Sequence, residues 1–236
     1  MNPIRIAVSR FSEGARARRA SLFRRSFHIG PDTKILDLGS ENGKHIWSVL
    51  QGTCFEPSNV YIADIEPEAV AEGSRRFGFL PVAIGESGSL PFPDRFFDIV
   101  HCSSVIEHVT VPKEQVWLSR NGRDFRAQSE ERQRAFAAEI KRVGNQYFVQ
   151  TPNRWFPVES HTWLPFLGWL PRRMLLPVLR VINRFWVKTT QPDWRLLGPE
   201  DVSRLFGGAQ IIKERFWGLT KSVVAIESSV DHERSC

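Results

Sequence analysis

Residues 35–43 read ILDLGSENG, and this stretch decides the fold. Apolar residues lead into Asp37, Gly39 and Gly43 follow four positions apart, and residues 44–50 can form a helix. Glycine permits the positive φ of a sharp turn and lets a ligand approach the backbone closely. The helix would direct its unpaired N–H groups at that ligand. The pattern indicates a strand that ends in a nucleotide-binding turn, although ordinary strand-to-helix turns share it.

Two segments downstream of the glycine turn have the spacing and residue types of a nucleotide-binding fold. The short apolar run 61–64 ends in Asp64, a little over 20 residues after the turn. A carboxylate at that place can accept hydrogen bonds from both hydroxyls of a ribose. Residues 85–94 read GESGSLPFPD, in which Glu86 could accept the exocyclic amine of an adenine and LPFP would form an apolar wall. The turn, Asp64 and the 85–94 segment could therefore each bind a different part of one nucleoside ligand.

The order of these motifs, continued by FDIV at 97–100 and EHV at 107–109, resembles the class I S-adenosylmethionine-dependent methyltransferases, in particular the type 11 group. The resemblance runs from about residue 34 to about residue 226. It implies an α/β fold with a Rossmann-like, doubly wound, seven-stranded sheet. The sheet would be mainly parallel with a C-terminal antiparallel hairpin, and a helical lid would be inserted. The implied cofactor is S-adenosyl-L-methionine, lying across the carboxyl ends of the first strands.

The resemblance also assigns the cofactor-binding residues. It implies that Asp37 and Gly39 hold the methionine end, Asp64 the ribose and Glu86 the adenine. Neighbouring positions complete the implied site: Gly43, Ile65, Ser87 and Ser103. One departure stands out, because the family usually has glycine where this chain has Glu41. That carboxylate could face solvent or form a salt bridge with the amino group of the cofactor.

Length and composition suit one domain with an insertion, since 236 residues and 42% apolar content allow a single large core. We expect a basic arm or helix at 1–28, a cofactor-binding half at 29–154, a lid or acceptor insertion at 155–196, a helix and hairpin at 197–228, and a tail at 229–236. Three widely spaced cysteines argue against a disulfide framework and for a reducing compartment. No secretory apolar region follows Met1, so a cytoplasmic location is expected.

The positive charge is concentrated at the start of the chain. Residues 1–28 carry seven arginines against Glu13, whereas the rest of the chain is neutral. Three interpretations remain open for this arm: a solvated helix packed beside the cofactor cleft, a contact with nucleic acid or an anionic membrane, and an organelle-targeting segment.

Alternating apolar runs and helical stretches predict strands near 34–38, 60–63, 80–84, 97–101, 146–150, 209–215 and 221–227. A helix should begin near Gly198-Pro199, and the charged stretch 113–138 predicts a solvated helix. Residues 173–186 predict an amphipathic helix with Arg173, Arg180 and Arg184 on one face. The tryptophan-rich insertion would be a lid over the acceptor, a lid with peripheral membrane contact through 162–188, or extra core.

The catalytic candidates follow the fourth and fifth strands, whose carboxyl ends face the cofactor. They are Glu107 and His108, then Glu159 and His161. His161 is the first choice as general base because it lies in a proline-broken loop, from which a side chain can point into the cleft. Glu159 could orient it. Glu107 and His108 better suit packing and cofactor support. No cluster has metal-ligand spacing along the chain, so no metal is predicted.

The leading hypothesis is an S-adenosylmethionine-dependent methyltransferase acting on a small-molecule or glycan- or lipid-type acceptor, at oxygen. The absence of a G-x-G-x-x-G motif disfavours a nicotinamide dehydrogenase. A catalytically silent binding protein with the same fold stays open because of Glu41. An RNA methyltransferase that uses the basic arm also stays open, although residues 103–106 lack the Asn/Asp-Pro-Pro-Tyr run associated with methylation of DNA amino groups. Nucleic acid is otherwise not the expected partner.

Overall fold

The computed structural model describes residues 3–39, 41–85 and 88–229, with side chains from residue 13 onward. Its centre is a seven-stranded sheet in the order β3-β2-β1-β4-β5-β7-β6. Neighbouring strands pair in parallel except β7, which is antiparallel to both β5 and β6. The strands are β1 (Ile35–Leu38), β2 (Val60–Asp64), β3 (Leu80–Ala83), β4 (Phe97–Ser103), β5 (Gly144–Pro152), β6 (Gln210–Phe216) and β7 (Leu219–Glu227). The predicted mainly parallel sheet with a closing hairpin is confirmed.

Helices cover both faces of the sheet. On one face, α1 (Pro3–Ser26), α2 (Lys44–Leu50) and α3 (Pro67–Phe77) contribute to a core with β1, β2 and β4. On the other face, α4 (Gly122–Val143) and α6 (Pro199–Leu205) pack in a second core. The predicted start of α6 is confirmed, and the N–H of Gly198 donates to Oδ2 of Asp201 at 3.0 Å.

The N-terminal helix packs on the body of the protein through a buried apolar face. Ala20, Phe23 and Phe27 are buried, and the ring of Phe23 packs edge-on against those of His101 and Phe148. Their spacing of three and four residues is that of one helix face, so the apolar face was present in the sequence beneath the arginines.

The charged helix begins and ends later than predicted. Residues 113–115 form one 3₁₀ turn, and α4 begins only after Asn121, whose side chain accepts the N–H of Arg123 at 3.0 Å. One face of α4 is buried, including Phe125, Phe136 and Ile140. The helix is therefore amphipathic, and only its outer face is solvated.

The insertion folds around a small core of its own. Its helix α5 (Arg172–Ile182) buries Leu175 and Leu179 against Trp194. Because α5 ends at Ile182, the predicted continuation of the arginine face to Arg184 is wrong. Large apolar side chains stay exposed on the insertion, namely Trp155, Val158, Phe166, Trp169, Met174, Val181 and Phe185. Among the helices of the described residues, none has the length and apolar character needed to cross a bilayer.

Candidate active site

The turn after β1 depends on glycine for two reasons. Gly39 has a φ of +75°, and a Cβ at this position would lie within 2.7 Å of both methyl carbons of Val105. Val105 belongs to the segment after β4, so the turn packs directly on that segment. Glu41 also has a positive φ, of 50°. The position at which the family usually has glycine is thus one whose backbone favours glycine.

Asp64 lies at the end of β2 and is linked to the same turn. Its Oδ2 accepts the N–H of Glu41 at 2.8 Å, and its Oδ1 accepts the N–H of Glu66 at 3.1 Å. Each carboxylate oxygen has a further lone pair, so the group can still accept ribose hydroxyls. The neighbouring Ile65 is exposed, and Gly43, with a φ of 70°, begins α2. The predicted residues Gly39, Gly43, Asp64 and Ile65 therefore border one turn.

Asp37 is buried and faces a histidine that the sequence analysis did not single out. Nδ1 of His101 lies 2.6 Å from Oδ1 of Asp37, whereas Oδ2 has no hydrogen-bond partner within the described part of the chain. An unpartnered buried acceptor suits a donor such as an amino group. The ring of His45 packs on His101, and burial lowers the pKa of His45 to about 4, with the charge of His101 as a further cause.

Ser103 ends β4 and meets an arginine from α1. Nη1 of Arg19 donates to Gln150 Oε1 and lies 3.4 Å from Ser103 Oγ, while its Nε lies 3.5 Å from Glu214. Sequence reasoning missed Arg19 because nothing local separates it from the other arginines of the helix. Glu86, predicted to bind the adenine, and Ser87, a further predicted cofactor residue, lie outside the described residues.

The predicted pair Glu159 and His161 is formed. Nδ1 of His161 lies 2.6 Å from Oε1 of Glu159, whose Oε2 accepts the N–H and the hydroxyl of Thr162. Burial opposes ionisation of Glu159, but the hydrogen bonds from His161 and Thr162 outweigh burial and lower the pKa of this carboxyl. The ring of Trp194 stacks on His161 with centroids 5.3 Å apart. The histidine is therefore held in one orientation.

Glu107 and His108 lie against this pair. The rings of His108 and His161 meet edge-on at 4.7 Å, and Nδ1 of His108 lies 3.2 Å from Asp193. Burial acts against protonation of His108, but the adjacent carboxylate of Asp193 and the charge of Glu107 raise its pKa. The carboxylate of Glu107 is fully buried, and its Oε2 accepts the hydroxyl of Thr151 at 2.9 Å.

Three of these residues form a compact group that we call the Glu107–His108–His161 cluster. One ligand atom of each lies within 4.8 Å of the others. The prediction of no metal considered only spacing along the chain, and that spacing could not reveal a group assembled from two loops. A separate cavity of about 180 Å³ lies between α4 and the insertion, and neither the cluster nor any described residue of the predicted cofactor site lines it.

Comparison with known proteins agrees with this geometry. Residues 36–119, about a third of the chain, match the family model of the methyltransferase domain. This match and the sheet topology support a class I S-adenosylmethionine-dependent methyltransferase, and the cofactor that they imply is S-adenosylmethionine. No curated protein sequence matches the chain.

Similar solved structures share the fold at low sequence identity. A proposed O-methyltransferase from Nostoc punctiforme has a TM-score of 0.54 and 13% identity over 91% of this chain and 56% of that one. A possible exported protein from Bordetella parapertussis has a TM-score of 0.53 and 11% identity over 92% and 68%. A chain of the Haloferax volcanii complex between the Trm112 methyltransferase activator and a proposed methyltransferase has a TM-score of 0.51 and 12% identity over 90% and 88%.

The described residues fit the cofactor. The turn at Gly39 has the required backbone, Asp64 keeps lone pairs for hydroxyl donors, and Asp37 Oδ2 is an unsatisfied buried acceptor. Arg19 and Ser103 add polar groups at the adjoining end of β4.

Proposed function

We propose that this protein transfers a methyl group from S-adenosylmethionine to an oxygen of a small-molecule or glycan- or lipid-type acceptor. One observation carries the proposal: the turn at Gly39 packs on Val105, two residues before Glu107. The cofactor turn and the catalytic candidates therefore adjoin each other at the carboxyl ends of the parallel strands, where ligands of such sheets bind.

The cofactor supplies a methyl group already activated by a sulfonium. The chain then has to align the acceptor, which is worth roughly 7–11 kcal/mol when the geometry is right. It also has to remove the proton of the acceptor hydroxyl, a contribution of about 10²–10⁴-fold. With Nδ1 of His161 bound to Glu159, Nε2 is the nitrogen available to take that proton. His108, which lies against His161, would help to position the acceptor.

The insertion supports an acceptor with apolar or sugar-ring surface. It lies beside the cluster, because Trp194 belongs to its core and stacks on His161. Exposed aromatic groups such as Phe166 and Phe185 also favour peripheral contact of the insertion with a membrane surface. The RNA alternative has less support, since Arg19 and Arg24 of the basic helix donate inward, to Gln150 and to the carbonyl of Val49.

Calorimetric titration with S-adenosylhomocysteine, with NADH as the control, tests the cofactor assignment. We expect micromolar binding of the former only, and Asp64→Ala should abolish it, whereas Asp32→Ala on an exposed loop should not. Unchanged affinity in folded Asp64→Ala protein would reject the ribose assignment.

Transfer of labelled methyl to a panel of small-molecule, glycan and lipid acceptors tests the reaction. His161→Ala should keep its affinity for S-adenosylhomocysteine and lose turnover. Full activity of this variant would remove His161 from the reaction. Cofactor binding without transfer to any acceptor class would favour the catalytically silent alternative.

A further inference from the structure

The Glu107–His108–His161 cluster has the composition of a metal site. Two imidazoles and one carboxylate are the donors of catalytic His₂Glu zinc sites and of 2-His-1-carboxylate iron sites. We propose that this cluster binds one divalent transition-metal cation of the Zn²⁺ type, with a coordination position open to the acceptor oxygen. Bonds of about 2.1 Å in tetrahedral geometry separate ligand atoms by about 3.4 Å. Starting from the observed limit of 4.8 Å, side-chain shifts on the order of 1 Å would close the cluster around a cation.

Both proposed histidine ligands have a carboxylate near Nδ1. Nδ1 of His161 lies 2.6 Å from Oε1 of Glu159, so Nε2 is its remaining nitrogen. Nδ1 of His108 lies 3.2 Å from Oδ2 of Asp193, but the geometry of this contact is not that of a hydrogen bond. Histidine ligands of metals usually have such a carboxylate on the other ring nitrogen, which fixes the tautomer and the ring orientation. Two histidines of one cluster therefore each have a carboxylate beside Nδ1, whereas a single catalytic base needs only one such pair.

The third ligand has an unsatisfied atom. Glu107 is 0% exposed, and within the described part of the chain its Oε1 has no hydrogen-bond partner. A buried carboxylate oxygen without a partner is costly, and a cation would satisfy it. This observation is independent of the donor composition and points to a ligand that the cluster lacks.

The local charge also favours a cation. Glu107, Glu159 and Asp193 bring three carboxylates to two imidazoles. Three cations lie near these carboxylates, namely Lys188, Arg19 and Arg172. Among the described residues, none of the three forms an ion pair with Glu107, Glu159 or Asp193. The mixed nitrogen and oxygen donors suit Zn²⁺ or Co²⁺ better than Mg²⁺, which prefers oxygen ligands. Since His108 and Asp193 are each about one third exposed, a cation has access from solvent.

This inference deepens the proposed function and rests on it in one respect: the oxygen at the open coordination position is taken to be that of the methyl acceptor. A bound cation would act as a Lewis acid on the acceptor hydroxyl and lower its pKa. With a cation bound, the proton of the acceptor would pass to water and Nε2 of His161 would be a ligand. Without a cation, Nε2 keeps the role of base described under the proposed function. Cation binding itself does not require methyl transfer, so the two proposals can be tested separately.

The test is a titration of the full-length, chelator-treated protein with Co²⁺, read from the visible absorption of the bound ion, and with Zn²⁺ by calorimetry. We expect one Co²⁺ per chain. Glu107→Gln and His161→Ala should each weaken binding by roughly 100-fold or more, and Asp193→Asn by about 10–100-fold, because it removes only the outer partner of His108. His28→Ala, on an exposed histidine away from the cluster, should leave binding unchanged. Circular dichroism establishes that each variant is folded.

Two results would overturn the inference: no one-to-one Co²⁺ complex in folded protein, or a complex that Glu107→Gln and His161→Ala leave unaltered. Parallel titration with S-adenosylhomocysteine separates the two proposals. Cofactor-product binding without Co²⁺ binding removes the cation site and leaves the methyltransferase proposal standing. If the protein binds Co²⁺ through the cluster but does not bind S-adenosylhomocysteine, the cation site stands and the methyltransferase proposal is rejected.

Discussion

Replacing Gly39 by alanine tests whether the packing of Val105 on the cofactor turn requires glycine. A non-glycine residue at a φ of +75° costs about 1–2 kcal/mol. The added methyl would also meet both methyl carbons of Val105, a stiff β-branched side chain, and such overpacking typically costs about 1–3 kcal/mol. Alanine also lowers the conformational entropy of the unfolded chain, which stabilises the folded protein by about 0.4–1 kcal/mol. The free energy of unfolding should therefore fall by about 2–4 kcal/mol.

Gly52→Ala is the matched control. Gly52 has a φ of +85°, but no described atom lies within 4 Å of the place where its Cβ would be. Only the backbone cost applies, so the expected loss is about 1 kcal/mol. Urea unfolding, followed by tryptophan fluorescence, measures both variants. The difference between them, about 1–3 kcal/mol, is the cost of the contact with Val105.

The double variant Gly39→Ala with Val105→Ala completes a double-mutant cycle. Removing the Val105 methyls should recover most of the contact cost, because the backbone strain is then all that remains at position 39. Equal losses for Gly39→Ala and Gly52→Ala, within about 0.5 kcal/mol, or additive effects in the cycle, would refute the reasoning.

Three other perturbations follow from the structure. Phe23→Ala should lower the free energy of unfolding by about 3–5 kcal/mol in urea titrations, because Phe23 is buried. Phe185→Ala, at an exposed phenylalanine, should lower it by less than about 0.5 kcal/mol. Equal losses would contradict the burial of α1 in the core. Glu41→Gly should raise the free energy of unfolding by about 0.5–1 kcal/mol by relieving a positive φ, and a loss of stability would count against that strain. Between pH 6.5 and about 4, unfolded His45 binds a proton that the folded residue does not, so stability should fall with falling pH by up to about 1.4 kcal/mol per unit. His45→Gln should remove this part of the slope, and an unchanged slope would exclude His45 as its source.

Much of the fold could be predicted because its signals are local. Apolar runs of strand length and the glycine turn at 39–43 identified all seven strands, most to within two residues. Helix limits were less accurate, since α4 begins at the side-chain cap of Asn121 and α5 ends at Ile182, before the predicted arginine face is complete. The apolar face of α1 was not predicted, because the high arginine content of residues 1–28 drew attention from the three- and four-residue spacing of Ala20, Phe23 and Phe27.

By itself, the sequence determined the sheet, the glycine turn and the positions of Asp37 and Asp64 at strand ends, because these depend on residues close together in the chain. The pairing of Glu159 with His161 could also be predicted, because the two residues lie only two positions apart in the chain. Only the tertiary structure brought Glu107 and His108 from the loop after β4 against His161 from the loop after β5. The parallel pairing of β4 with β5 places both loops at one edge, and the insertion returns to supply Asp193 and Trp194. Such a site depends on which strands are neighbours, and no spacing along the chain encodes that.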